Sequence, residues 1–308
     1  MTTLALPAQA VLDRRYLPGW QQAAVGFLSQ YRGSTLKCYT LELQRFFAWC
    51  EQRNLDPFLV QRADLNLFVH DIQTSPARYA ESTISRWVGT VCGYYRYACD
   101  EEMIPKDPGR RITRPQVDHD KQRCTFLPPV EFATLIKYVT KHGTPTERAL
   151  IGLIGLRGLR ISEACSLDVD DFIEQGGYRV VRFIGKGNKA RTVVLPVPVV
   201  RAIEACIGDR TAGPILLNAV GNRMDRKVSG RMVKDLAARA GVDPDISNHS
   251  LRRSFVTAAI AKGESLLEVS LTVGHAQTST TQRYDRLTKS LDRDISQSVA
   301  GFLSNLAG

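Results

Sequence analysis

The 308-residue sequence predicts two domains: a helical bundle, then an α+β domain that is mostly helical with a small antiparallel sheet. Three observations carry this. The length is about twice that of a common single domain, enough for two cores. Helical periodicity runs from Leu17 to Met103. Beyond a proline-rich, aperiodic stretch, two β-like runs flank a glycine turn among further helical segments.

Turn signals at Arg32-Gly33-Ser34, Asp56-Pro57 and Ser75-Pro76 divide the first region into four helices. Ser34 is the expected N-cap of the second, whose Leu36, Leu43, Phe46 and Phe47 recur at helical spacing. Lys37, Thr40 and Gln44 form a separate polar stripe on it. The fourth helix, roughly 81–102, sets Ser82, Arg86 and Thr90 four residues apart, with Ile84, Trp87, Val91 and Tyr94 on its apolar side. Polar stripes of this kind are usually solvated faces, and a groove-facing surface is the sharper alternative.

Residues 104–129 hold five prolines and six basic side chains without periodicity and form the boundary between domains; the basic linker proper is set at 105–127. Residues 129–142 and 144–157 read as helices, and Tyr178–Ile184 and Thr192–Pro196 as strands. The domains are therefore placed at 17–104 and 128–308, after a tail of residues 1–16.

Apolar residues make up 44% and charged residues 23%, values of an ordinary globular chain, and no apolar run is long enough to span a bilayer. The first twenty residues lack the basic lead and apolar stretch of a secretory signal, so a cytoplasmic protein is expected. Cys38, Cys50, Cys92, Cys99, Cys124, Cys165 and Cys206 are odd in number and contain no CxxC pair. Reduced thiols are expected, not a disulfide framework or a zinc site.

The net charge of +10 suits a polyanionic partner. Its distribution is uneven: residues 1–104 carry ten basic and ten acidic side chains, 105–127 six and three, and 128–308 twenty-five and eighteen. Any contact of the first domain with a polyanion must therefore use one-sided charge and neutral hydrogen-bonders such as Thr40, Gln44, Ser82 and Thr90.

Four segments of the second domain carry polar residues in otherwise apolar or turn-forming contexts: GLRISE (158–163), GKGNKAR (185–191), HSLR (249–252) and GHAQTSTTQRY (274–284). Each alone is weak, since a helix-start arginine or an i, i+3 His/Arg pair is commonly structural. In this order and spacing they resemble the tyrosine recombinases, the phage-integrase and Xer-type family, over about 28–308.

The resemblance implies a SAM-like core-binding bundle and a tyrosine-recombinase catalytic domain. Carried over residue by residue, it makes Arg160 the first catalytic arginine and Glu163 the acidic residue that supports the site. It makes Lys186 the β-hairpin lysine, His249 and Arg252 the HxxR pair, His275 the late histidine and Tyr284 the nucleophile. It further implies double-stranded DNA target sites, self-association to a tetramer on two sites and scope for an accessory directionality factor. No metal, ATP or other cofactor is implied.

These residue types suit the chemistry. Attack on a phosphodiester builds charge on the non-bridging oxygens, and two guanidiniums fork onto them without losing their own charge. Forming a tyrosinate at pH 7 costs about 4 kcal/mol unless a base takes the proton, the role of His249. The leaving 5′-oxygen needs a proton, which Lys186 between two glycines is placed to give. His275 is assigned to phosphate stabilisation.

GKGNKAR is no P-loop, because its glycines lie between two β-like runs and do not open a helix. Asp168, Asp170 and Asp171 could bind Mg²⁺, although three neighbouring carboxylates after a short helix are more often a solvated turn. Lys189 and Arg191 are rival cations in the hairpin. Arg157 stands where the family often has a small polar residue and is read as a DNA-backbone contact; Arg253 stands where many relatives have histidine. Ile295, Val299, Phe302, Leu303 and Leu306 form the apolar stripe of a last helix, which packs on its own domain or docks on a neighbouring protomer.

The expected activity is site-specific DNA recombination through a 3′-phosphotyrosine. The alternatives are a type IB topoisomerase-like nicking-closing enzyme and a non-catalytic DNA-binding regulator. With little room for an arm-type domain before residue 17, an Xer-like simple-site enzyme is expected over a large phage integrase.

Overall fold

The computed structural model describes residues 17–115, 126–185 and 189–274, and the chain divides into two compact units between Gln122 and Arg123. The first unit is four helices: α1 (Gly19–Ser29), α2 (Gly33–Gln52), α3 (Arg62–Gln73) and α4 (Glu81–Asp100). Helix α2 starts one residue before Ser34, with Arg32 at the N-cap and no side-chain cap, which corrects the expected role of Ser34. Gly33, at φ 59°, turns the chain there, a conformation that costs glycine little.

An aromatic core closes this bundle. Phe46 meets Phe68 and Tyr95 edge-on at 5.0 and 5.8 Å, and Phe47 meets Tyr94 at 5.4 Å. The buried tyrosines find partners for their hydroxyls: Tyr95 donates to the Pro57 carbonyl at 2.7 Å and Tyr94 to that of Trp20 at 3.1 Å. The second half of α4 is thereby tied to the first turn of α1 and to the turn between α2 and α3.

The second unit begins with α5 (Pro129–His142) and α6 (Pro145–Ile151), which Thr144 and Glu147 cap reciprocally. Helix α6 runs into a π-turn at Gly152–Leu156, so the helix expected over 144–157 changes its hydrogen-bond step before it ends. After α7 (Ile161–Ser166), strands β1 (Phe172–Gln175), β2 (Tyr178–Ile184) and β3 (Ala190–Val194) form an antiparallel sheet in the order β1-β2-β3. The four-residue β1 was not foreseen, since so short a run with one buried residue has no readable period.

Helices α8 (Val197–Ile207), α9 (Arg226–Ala240), α10 (Asn248–Lys262) and α11 (Leu266–Val273) complete the described part. Its core joins α5, α6 and the π-turn to one face of the sheet and to α8 and α9, through Leu135, Leu150, Leu153, Val181, Ile203 and Leu236. A smaller cluster, Val256, Ile260, Val269 and Val273, packs α11 on α10. That packing decides where the end of α11 lies.

Candidate active site

Gly158 makes the sharp turn that begins the site. Its φ of +74° suits glycine, and a Cβ there would stand 2.7 Å from Phe255. Arg160, two residues on, is the N-cap residue of α7. The Glu163 carboxylate reaches back to accept from the Arg160 main-chain N–H at 2.8 Å and from its Nη1 at 2.7 Å. Glu163 is buried, so this carboxylate places a compensating charge under the guanidinium.

Arg252 comes from α10, whose start Ser247 fixes by accepting from the Ser250 N–H. Only 3% exposed, Arg252 donates through Nη1 to the Gly158 carbonyl and through Nη2 to the Val273 carbonyl at 2.6 Å. Its Nη1 also lies 4.0 Å from Glu163 Oε2. One buried carboxylate thus serves two guanidiniums that arrive from segments about ninety residues apart.

His249, one turn before Arg252, is open to solvent by surface area and yet crowded by protein atoms. Loss of hydration, and then the charges of Arg253, Arg252, Arg160 and Arg226, push its pKa down to about 4. At neutral pH the ring is therefore uncharged and able to accept a proton.

The C-terminal end of α11 is the meeting point. Arg160 Nη2 donates to the Gly274 carbonyl at 2.8 Å, and Arg191, from β3, donates to those of Val273 and Thr272, both at 3.3 Å. Arg157 donates through Nη1 to Thr272 at 3.2 Å and through Nε to the Val194 carbonyl at 2.8 Å. The last carbonyls of a helix lack intrahelical partners and carry its negative dipole end, so cations gather there. Gly274 leaves room for Arg191, whose guanidinium would collide with any Cβ at that position.

Of the residues named from sequence, Arg160, Glu163, His249, Arg252, Arg157 and Arg191 are brought together here. Lys189 is exposed, its carbonyl accepting from the Gly185 N–H at 2.8 Å. Lys186, His275 and Tyr284, like the stripe at 295–306 and Cys124, lie outside the described residues. Asp168 is paired with Arg223 at 2.6 Å, and Asp171 accepts from the Asp168 N–H. Among the described residues no group of three His, Cys, Asp or Glu side chains could hold a metal ion. None of their helices is long and apolar enough to cross a membrane.

The polar stripes of the first unit differ from expectation. Thr90 is buried, and its hydroxyl donates to Glu42 Oε2 at 2.6 Å, so it does not belong to an exposed face. Arg86 Nε donates to Glu42 Oε1 at 2.5 Å and the Cys38 thiol to the same oxygen at 3.2 Å. Thr40 bonds back to the Leu36 carbonyl. Sequence reading missed Glu42 as the centre of this cluster, although a carboxylate between Leu41 and Leu43 facing Arg86 and Thr90 was the available signal. Lys37 and Arg86 are exposed, and Ser82 and Gln44 half-buried.

Residues 125–290 match the family model described as the phage integrase family. The chain belongs to that family. Among curated phage-integrase relatives, it is 29% identical over 314 aligned positions to tyrosine recombinase XerD of Mycobacterium tuberculosis, spanning 96% of this chain and 97% of that one. To tyrosine recombinase XerC of Pelobacter propionicus it is 29% identical, over 84% of this chain and 86% of the relative.

Solved structures agree in fold. The Tn1549 transposon integrase in complex with transposon right end DNA superposes with a TM-score of 0.71 at 18% identity, over 95% of this integrase-family chain and all of the other. The XerH recombinase bound to its difH substrate gives 0.68 at 20% identity, over 83% and 77%. Mostly helical architecture with one small antiparallel sheet is shared with these recombinases.

Proposed function

We propose that this integrase-family protein is a site-specific DNA recombinase that cuts and rejoins duplex DNA through a 3′-phosphotyrosine at Tyr284, without metal or ATP. The observation that carries the reading is the convergence of Arg160 and Arg252 on one buried carboxylate, with His249 one turn before Arg252, at the end of the helix that leads into His275 and Tyr284.

Each residue then has a task. Arg160 and Arg252 bind the non-bridging oxygens and strengthen those contacts as negative charge builds. Tyr284 Oη attacks phosphorus, His249 takes the phenolic proton, the bond from phosphorus to O5′ breaks, and Lys186 protonates O5′. His275 donates to a phosphate oxygen. A base with a pKa near 4 is weak, but a phosphate among the arginines offsets the cationic field and raises His249 toward its working range. Attack by a DNA 5′-hydroxyl on the phosphotyrosine reverses the steps, so rejoining needs no ATP.

The first unit serves as the core-binding domain, with Lys37, Gln44, Ser82 and the free edge of Arg86 toward DNA, and Lys189 adds a hairpin contact. Tetramer assembly on two sites runs through the C-terminal helix. An apolar cavity of about 430 Å³ between α5, α10 and α11, lined by Phe132, Leu156, Phe255 and Val269, supports a docking place for its apolar stripe. A directionality factor and a cytoplasmic location fit the same reading.

A nicked suicide DNA substrate in chelator tests it. Wild-type protein is expected to give a covalent adduct on a denaturing gel and Tyr284→Phe none; absence of a wild-type adduct rejects the reading. Recombination between two target sites separates a recombinase from an enzyme that only relaxes supercoils.

A further inference from the structure

Four guanidiniums hold the last two carbonyls of α11 and that of its cap: Arg157 and Arg191 on Thr272, Arg191 and Arg252 on Val273, and Arg160 on Gly274. Two of these arginines already have a role at the phosphate, and Arg191 lies on the hairpin strand. Arg157 differs from the rest. It stands directly after the π-turn, where its main-chain N–H is taken by the Gly152 carbonyl at 3.0 Å, and its guanidinium bridges two elements. Nε holds Val194 at the end of β3, and Nη1 holds Thr272 at the end of α11.

We propose that Arg157 is a positioning residue: by bonding Val194 and Thr272 at once, it locks the strand that follows Lys186 to the helix that precedes His275 and Tyr284. The inference rests on the recombinase reading. Nε and Nη1 are both spent on main-chain carbonyls, so two of the three guanidinium nitrogens are held by the protein. Burial and the neighbouring Arg191 charge lower its pKa to about 10, and it keeps its proton at neutral pH. Lysine, a single ammonium, cannot reproduce the fork that spans two carbonyls, whereas loss of the side chain leaves Arg191 alone to tie β3 to the end of α11. Small displacements of a general acid relative to the reacting phosphate cost rate steeply.

The test measures single-turnover adduct formation at saturating DNA for wild type, Arg157→Ala and Arg157→Lys, together with DNA affinity across salt. Arg157→Ala is expected to lower the cleavage rate about tenfold or more, with Arg157→Lys recovering part of it. DNA affinity and its salt slope should stay at wild-type values, since a lost phosphate contact would lower that slope by about one.

A substrate whose scissile 5′-oxygen is replaced by sulfur adds a second readout, because a thiolate leaves without a proton. There the Arg157→Ala deficit should shrink to within about threefold, whereas a general loss of structure would persist. Equal deficits on both substrates, a reduced salt slope, or wild-type rates in both variants would overturn the proposal. A wild-type protein that forms no adduct on either substrate would overturn the recombinase reading as well.

Discussion

Arg160 and Glu163 are joined at two points, guanidinium Nη1 to Oε1 at 2.7 Å and main-chain N–H to Oε2 at 2.8 Å. The carboxylate therefore sets both the start of α7 and the direction of the arginine, while facing the buried Arg252 from 4.0 Å. Glu163→Gln retains the shape but removes the negative charge between two cations. Breaking a buried charge cluster from one side costs about 3 kcal/mol. Urea unfolding should show a loss of that order, and adduct formation should fall with it.

His249 links stability to pH. Its folded-state pKa, near 4, lies below the unfolded value of about 6.5. Between those values the unfolded chain binds the proton more readily, so this group lowers stability as pH falls through the window and has no such effect above it. His249→Gln should flatten the decline of the urea midpoint between pH 6.5 and 4. Arg253→Ala, which removes the strongest of the neighbouring positive charges, should raise the histidine's own titration midpoint in an NMR experiment.

Thr90 and Glu42 make a buried pair in the first unit. Thr90→Val leaves one carboxylate oxygen without that donor and should destabilise by about 1–3 kcal/mol. DNA affinity measured on the folded variant should be unchanged, while Lys37→Ala and Ser82→Ala should weaken binding. An affinity loss in Thr90→Val as large as theirs would return Thr90 to the DNA-facing surface.

Gly158→Ala places a methyl against Phe255 in a backbone conformation that L-residues disfavour. The Gly158 carbonyl is also a partner of Arg252. A shift of this turn should lower the cleavage rate at saturating DNA and reduce stability by about 1–3 kcal/mol. Ala at Gly176, where the structure leaves open space for a Cβ, provides the control for strain alone.

The longer helices of both units were legible because their apolar faces recur at helical spacing over two or more turns, as in Leu43, Phe46, Phe47 and Cys50 of α2. The arginine and His/Arg segments were legible as residue types in order. Their destination was not. That Arg157, Arg160, Arg191 and Arg252 share the carbonyls ending α11 depends on how α11 packs on α10, a contact between distant segments with no periodic trace. Thr90 misled because a four-residue polar spacing looks the same whether it meets water or a buried Glu42. The Arg157 substitution was visible as an unusual charge, but its direction was set by the π-turn, which sequence periodicity does not separate from an α-helix.

The most direct measurement is the chemical identity of the DNA-protein bond. Adduct trapped on a nicked substrate is digested with protease and nuclease, and the modified peptide is sequenced by mass spectrometry. The expected product is a nucleotide joined through its 3′-phosphate to Tyr284. Attachment to another residue, or through a 5′-phosphate, would contradict the assignment of Tyr284 as the group that attacks between the two arginines.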